Sequence, residues 1–249
     1  MSPHDWNAAD YDRTNAGVIA LGRAVLERLE LNGDETVLDA GCGTGVLTAA
    51  LLDRLPNGSA IGLDASPQMV EFARGRLGDR AEVMLADLSD FDLHGRKVNA
   101  VFSTATFHWL KDHDRLFKNL RAVTNDGGRL VAQCGGFGNI AKFRSAALEL
   151  AERPEYQAYL PTVEPWNFAT AEETEGRLVG AGYSSAKCWL EDAPIFPEDP
   201  PKHLREVVLG AQIEALPDGL AEAFVTEVEV MVGDFDRVDY VRLNIDAVA

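Results

Sequence analysis

Lysine is nearly missing from this chain. Its 249 residues hold six lysines against seventeen arginines and forty acids, for a formal net charge of −17. No basic run occurs anywhere, whereas a surface that grips phosphates needs clustered Lys and Arg, so nucleic acid is not an expected partner. The acid excess fits a high-salt cytoplasm, where such surfaces stay hydrated and their repulsion is screened, as well as it fits an ordinary acidic protein. Cysteine is scarce too. Cys42, Cys134 and Cys188 are far apart, odd in number and without a C-x-x-C pair. Neither a disulfide framework nor a zinc knuckle is indicated, and a reducing cytoplasm is expected. No apolar run approaches the roughly 20 residues that span a bilayer. The start, Met1-Ser2-Pro3-His4-Asp5-Trp6, lacks the basic and apolar regions of a secretory signal. No H-E-x-x-H, G-x-S-x-G or G-K-S/T after a glycine loop is present, which sets aside zincins, α/β-hydrolases and P-loop NTPases. His108 and Asp112 would share a helical face, but His113 lies off it. No metal is expected, and His113 reads as solvated helix surface.

What is present is strand–helix alternation. Strands are expected at 36–40, 59–64, 81–85, 98–103, 129–134, 187–191 and 238–248. Helices are expected at 17–29, from Val46 to about Leu55, from Ser66 to Leu77, at 112–123, 140–151 and 171–180, and at about 201–216 and 218–233. Ser66 with Pro67 reads as an N-cap and first helical position. Thr170-Ala171-Glu172-Glu173 reads as a capping box, and Asn125-Asp126-Gly127-Gly128 as a break. The pattern indicates an α/β fold with a doubly wound parallel sheet. It predicts one domain over 1–249, with cap insertions at about 136–170 and 198–235. Ligands of such sheets bind beyond the carboxyl ends of the strands.

The first strand, Val37-Leu38-Asp39-Ala40, runs into Gly41-Cys42-Gly43-Thr44-Gly45 and then a helix. Glycines there allow a sharp turn and close approach of a ligand, and the helix start offers free N–H groups. Asp64 ends the second strand, nineteen positions after Gly45, where a carboxylate can accept both hydroxyls of a ribose. An adenosyl ligand is implied, and on these residues alone NAD qualifies. Gly45 comes one residue too early for the G-x-G-x-x-G dinucleotide fingerprint.

Asp39-x-Gly41-x-Gly43-x-Gly45 resembles motif I of the class I S-adenosylmethionine-dependent methyltransferases. Ser103-Thr104-Ala105-Thr106-Phe107-His108-Trp109 resembles a segment of the trans-aconitate methyltransferase type of that family, which acts on small molecules. Trp6-Asn7-x-x-x-Tyr11-Asp12 resembles its N-terminal segment, and Tyr240-Val241-Arg242-Leu243-Asn244 its antiparallel seventh strand. The resemblance implies a Rossmann-like seven-stranded sheet, S-adenosyl-L-methionine as cofactor and S-adenosyl-L-homocysteine as product. It places Gly41, Cys42 and Gly43 at the methionine end, with Asp39 near the amino group and Tyr11 facing the methionine part. Asp64 and Ala65 fall at the ribose. Ala86, Asp87, Leu88 and Met69 fall around the adenine, and Ser103 lines the cleft. His108 is the catalytic candidate, able to position a substrate or accept a proton. Arg13, Arg144 and Arg153 are candidates to pair an acidic substrate. A small-molecule methyl acceptor, no nucleic acid, no membrane, and a monomer or homodimer are expected. The rival readings are an NAD-dependent oxidoreductase and a non-catalytic S-adenosylmethionine-binding regulatory subunit.

Overall fold

Strand β1 (Thr36–Ala40) is buried on both faces, and a strand of that kind belongs in the middle of a parallel sheet. It lies between β2 (Ser59–Asp64) and β4 (Val98–Thr104), with Leu38 opposite Ile61 on one side and Val101 on the other. The structure, a computed structural model, describes residues 16–160 and 165–249. Strands β3 (Glu82–Leu85), β5 (Thr124–Gly135), β6 (Ser185–Asp192) and β7 (Val241–Val248) complete a seven-stranded sheet of order β3-β2-β1-β4-β5-β7-β6. Strand β7 runs antiparallel to both its neighbours, and the other pairings are parallel.

Alternation along the strands sorts the core into two layers. Val37, Ala100, Phe102 and Val131 pack with Val25, Leu26 and Leu29, at and just beyond the end of α1 (Ala16–Arg28), and with Leu51 of α2 (Val46–Leu52). Leu38, Ile61, Val101, Leu130, Leu243 and Ile245 face the other way, onto Leu116, Phe117 and Leu120 of α4 (His113–Val123) and Leu178 of α7 (Ala171–Gly180). Helix α3 (Pro67–Leu77) covers Val83. The Arg28 guanidinium ties α1 across the sheet. It donates to the carbonyls of Ala132 and Ile245 and reaches Asn244 and Asp246. A separate apolar cluster joins α5 (Ala141–Ala151), α6 (Pro154–Gln157), the π-turn Leu204–Val208 that follows α8 (Pro200–His203), α9 (Gly210–Ala215) and α10 (Asp218–Val232) into a cap, with Leu150, Tyr156, Leu204 and Phe224 among its buried members. Among the described residues no helix is long and apolar enough to cross a membrane.

The expected helix starts are found. Ser66 Oγ accepts from the Met69 N–H, and Thr170 with Glu173 makes both bonds of a capping box. The helix before Asn125–Gly128 ends at Val123, as expected, and those four residues bulge out within β5 between the pairs Val98–Thr124 and Ala100–Arg129, pinned by mutual bonds of Gly127 and Gly128 with Ala249. Two expectations are corrected. The helix expected over 201–216 is α8, a π-turn at Leu204–Val208 and α9, because the Leu209 N–H reaches back five residues to Leu204 and Gly210 follows. His113 is not solvated. It is 2% exposed, and its Nε2 lies 2.9 Å from the Phe107 carbonyl.

Candidate active site

The turn after β1 is built on left-handed backbone, with Gly41 at φ +87° and Gly43 at φ +52°. Any side chain would be strained at either position. At Gly41 a Cβ would also run into the Thr106 side chain, whereas at Gly43 it would meet no protein atom. The loop therefore packs tightly below and is open above. Gly41 and Cys42 both donate to the Leu63 carbonyl, at 2.8 and 3.0 Å, which stitches the turn to the end of β2. Asp64 follows directly. One carboxylate oxygen accepts from the Gly43 N–H and the other from the Ser66 N–H, both at 2.9 Å. Burial raises the Asp64 pKa, and the backbone N–H groups of Ser66, Gly43 and Ala65 pull it part of the way back. Asp39 is 2% exposed and accepts from the Thr48 hydroxyl at 2.6 Å. Burial pushes its pKa up to about 7, and the nearby Asp64 charge adds to this. Both carboxyls are thus held by neutral donors, so a cationic ligand group gains from either. The space over Gly43 is open, with the Asp64 carboxylate bonded to the Gly43 N–H and Asp39 buried nearby.

The neighbouring strand ends supply the rest of this side. Ala86 donates to the Asp64 carbonyl at 3.0 Å, and Asp87 is exposed, its Oδ1 accepting from the Ser89 N–H and hydroxyl. Ala65 is half-buried and Met69 buried. Leu88 belongs to the core beneath the sheet, and Cys42 packs with Val70, Ala73 and Val83. The Ser103 hydroxyl donates to the Ala40 carbonyl at 2.6 Å and locks β4 to β1. Leu85, paired in register with Asp64, is 52% exposed. Its place at the end of a strand was the signal for it, and sequence reasoning passed it over. Tyr11, with the segment from Trp6 to Asp12, and Arg13 lie outside the described residues.

A second group of side chains gathers after β4 and β5. Ala105 takes φ +54°, uncommon for a residue with a Cβ, and the turn delivers His108. The Gly135 N–H donates to His108 Nδ1 at 3.3 Å, so the imidazole proton is assigned to Nε2. The His108 ring lies between those of Trp109 and Phe168, 5.2 and 5.7 Å away. Trp166 stacks on Phe168, and Asn167 donates to the His108 carbonyl. Burial, then the charge of Arg242, pushes the His108 pKa down to about 3. Burial thus favours the neutral ring, with Nδ1 taken by the Gly135 N–H. Arg242, second residue of β7, lies opposite Gly135. Its guanidinium lies 4.4 Å from the Tyr240 ring centre, and the Tyr240 hydroxyl bonds His203 Nε2 at 3.1 Å. Arg144 lies over Phe168 at 4.9 Å. Arg153 is elsewhere, bound within the cap to Glu227, which also accepts from the Tyr156 hydroxyl.

Comparison with known proteins agrees with this arrangement. Residues 37–128 match the family described as Methyltransferase domain. The chain is 31% identical to a malonyl-(acyl-carrier protein) O-methyltransferase of Geobacter sulfurreducens over 210 residues, 80% of this chain and 75% of the relative. It is 36% identical to a trans-aconitate 2-methyltransferase of Methylobacterium radiotolerans over 129 residues, 52% of this chain and 49% of that one. In fold it matches the Haemonchus contortus phosphoethanolamine N-methyltransferase 2 solved with S-adenosyl-L-methionine, at a TM-score of 0.63 and 16% identity, over 100% of this chain and 58% of the other.

Proposed function

The chain belongs to the class I S-adenosylmethionine-dependent methyltransferases, and from that premise we propose that it methylates a carboxylate of a small organic acid. S-adenosyl-L-methionine supplies an activated methyl on a sulfonium. The protein's part is to align the acceptor in line with it and to exclude water. One observation carries the acceptor class. Among the described residues grouped after β4 and β5, burial pushes the His108 pKa down to about 3 and the Tyr240 hydroxyl up to about 12, and lowers His203, so proton acceptance is disfavoured at all three. An alcohol or an ammonium would have to lose a proton there. A carboxylic acid arrives already ionised. The names of the relatives support the same reading, since malonyl and trans-aconitate groups both carry carboxylates.

In this reading Asp64 takes the ribose hydroxyls and Asp39 faces the methionine ammonium. Gly41 and Gly43 let the ligand approach, and Tyr11 closes over the methionine end. Ala65, Met69, Ala86, Asp87 and Leu88 surround the adenine, and Cys42 and Ser103 hold the loop and strand ends that shape the cleft. The chain works as one domain, with 136–170 and 198–235 covering the acceptor. It acts in the cytoplasm as a monomer or homodimer, without nucleic acid or membrane. Calorimetry tests the donor side: S-adenosyl-L-methionine and S-adenosyl-L-homocysteine bind and NAD does not. Binding of NAD alone would overturn the reading in favour of an oxidoreductase. Binding of the first two with no turnover on any acceptor would favour a regulatory subunit. Gly43→Ala costs about 1 kcal/mol of stability through its left-handed backbone, which the fold withstands, and its methyl meets no protein atom. It fills the space over the turn, and about 2 kcal/mol of binding, roughly 30-fold in Kd, is lost.

A further inference from the structure

We infer that Arg76 is a positioning residue for the cofactor: its guanidinium clips the Thr44–Gly45 peptide and so holds the turn around Gly43 in the shape that receives S-adenosyl-L-methionine. This rests on the cofactor reading above and adds the residue that keeps the loop in place. Arg76 stands in the last turn of α3, where any basic side chain would suit the helix end. Its Nη1 instead reaches the loop, 32 residues earlier in the chain. It donates to the Thr44 carbonyl at 2.7 Å and to the Thr44 hydroxyl oxygen at 3.0 Å. Thr44 is 4% exposed, so its polar atoms need partners within the protein. The other end of the same peptide closes the turn, because the Gly45 N–H donates to the Cys42 carbonyl at 3.0 Å. A peptide unit is planar, so fixing its oxygen fixes the direction of its N–H. Gly43 lies inside that turn at φ +52°, and its own N–H is the one that Asp64 accepts.

Helix α3 thereby works as a splint between two parts of the site. At its start, Ser66 caps the helix, and the Ser66 N–H donates to Asp64, the acid that also accepts from Gly43. At its end, Arg76 holds the far side of the Gly43 turn. Between the two, packing braces the loop: Cys42 lies with Val70, Ala73 and Leu77, and a Cβ on Gly45 would press on Ala73 and Leu77. The acid and the turn are thus set by one helix before any ligand arrives. Glycines have the most backbone freedom to lose, and a loop already held in its bound shape binds more tightly than one that must first be ordered. The Arg76 guanidinium also lies 5.2 Å from the centre of the Phe72 ring, one turn back, which limits where the long side chain can go. Arg74, on the same turn, is engaged differently. Its Nε and Nη2 both donate to the Val83 carbonyl of β3. It provides a neighbouring arginine with two comparable bonds, neither of them to the loop.

The test uses the full chain, with calorimetry against S-adenosyl-L-homocysteine, thermal melting, and hydrogen exchange of residues 41–49. The proteins are wild type, Arg76→Met, Arg76→Lys and, as control, Arg74→Met. Methionine keeps an apolar stem and drops every donor. In Arg76→Met the Kd for S-adenosyl-L-homocysteine rises about tenfold, the loss expected for a charge-assisted bond to a buried carbonyl. Exchange at 41–49 quickens in the ligand-free variant and returns to the wild-type rate once ligand saturates it. Arg76→Lys, which keeps a charged donor, recovers part of the affinity. Arg74→Met lowers the melting temperature as much as Arg76→Met does, by about 2–4 °C, yet keeps its Kd within about twofold of wild type. A Kd in Arg76→Met within about twofold of wild type overturns the inference and leaves the cofactor reading standing. So does an equal loss of affinity in Arg74→Met, which would make the stability of α3, and not the grip on the loop, the cause. A wild-type protein that binds no S-adenosyl-L-homocysteine overturns the proposed function itself.

Discussion

Removing the charge at Asp39 is expected to make the ligand-free protein more stable and a poorer binder of its cofactor. The carboxyl is buried beneath the glycine loop with one hydroxyl donor, and its pKa is raised from an ordinary 3.8 to about 7. The folded state therefore holds this proton more tightly than the unfolded state. Stability from this group is fully present below about pH 4 and falls as pH rises through 7. At about 1.4 kcal/mol per pH unit, the loss between pH 4 and pH 8.5 is about 4 kcal/mol. Roughly half of it falls between pH 5.5 and pH 8.5, a range suited to urea denaturation. Asp64 is raised in the same direction and adds to the wild-type slope. In Asp39→Asn the stability gap over wild type should widen by about 2 kcal/mol from pH 5.5 to 8.5, while the affinity for S-adenosyl-L-methionine falls, since a cation loses its counter-charge. Every group common to both proteins cancels in that difference. A gap that does not change with pH, or a variant less stable than wild type at pH 8.5, would refute the reasoning.

His108 acts in the opposite sense. Its pKa is depressed from 6.5 to about 3, so stability is lost as pH falls from 6.5 towards 3, by up to about 5 kcal/mol. An acid titration followed by tryptophan fluorescence should show His108→Phe unfolding over a lower and less steep range than wild type. Arg153→Ala should leave the acceptor KM unchanged and lower stability by less than about 1 kcal/mol, because its bond to Glu227 lies within the cap and both side chains are more than a third exposed. Potassium chloride should raise the melting temperature steadily up to molar concentrations, because a net charge of −17 repels itself and salt screens it. A melting temperature that ignores salt would show that acids and arginines are already balanced locally.

The glycine turn and the carboxylate that bonds to it were legible from sequence because their geometry is local. Gly41, Gly43, Asp64 and Ser66 lie within 26 consecutive residues, and a strand–turn–helix is specified by them alone. His113 was misplaced although the signal was there. With Leu116, Phe117 and Leu120 it forms an i, i+3, i+4, i+7 stripe on α4, and judging it against His108 instead of its own helix put it in water. Arg242 was invisible for a different reason. On an alternating strand it reads as a wet-face residue, and only the insertion of β7 between β5 and β6 brings it beside Gly135. The four turn-forming residues at 125–128 were correctly seen as irregular. Their pairing with Ala249, more than a hundred residues away, is what keeps β5 continuous.

The hairpin of β6 and β7 has one more consequence. Asp192 and Val241 are partners, so the chain departs from the sheet and rejoins it at adjacent points on a single rim. Whatever lies between can be lengthened, shortened or exchanged without moving a strand. Its apolar residues pack against 140–160 in a cluster that shares no member with the layers under the sheet. A chain of this plan could in this way carry a different helical cap while its seven strands keep their order and register.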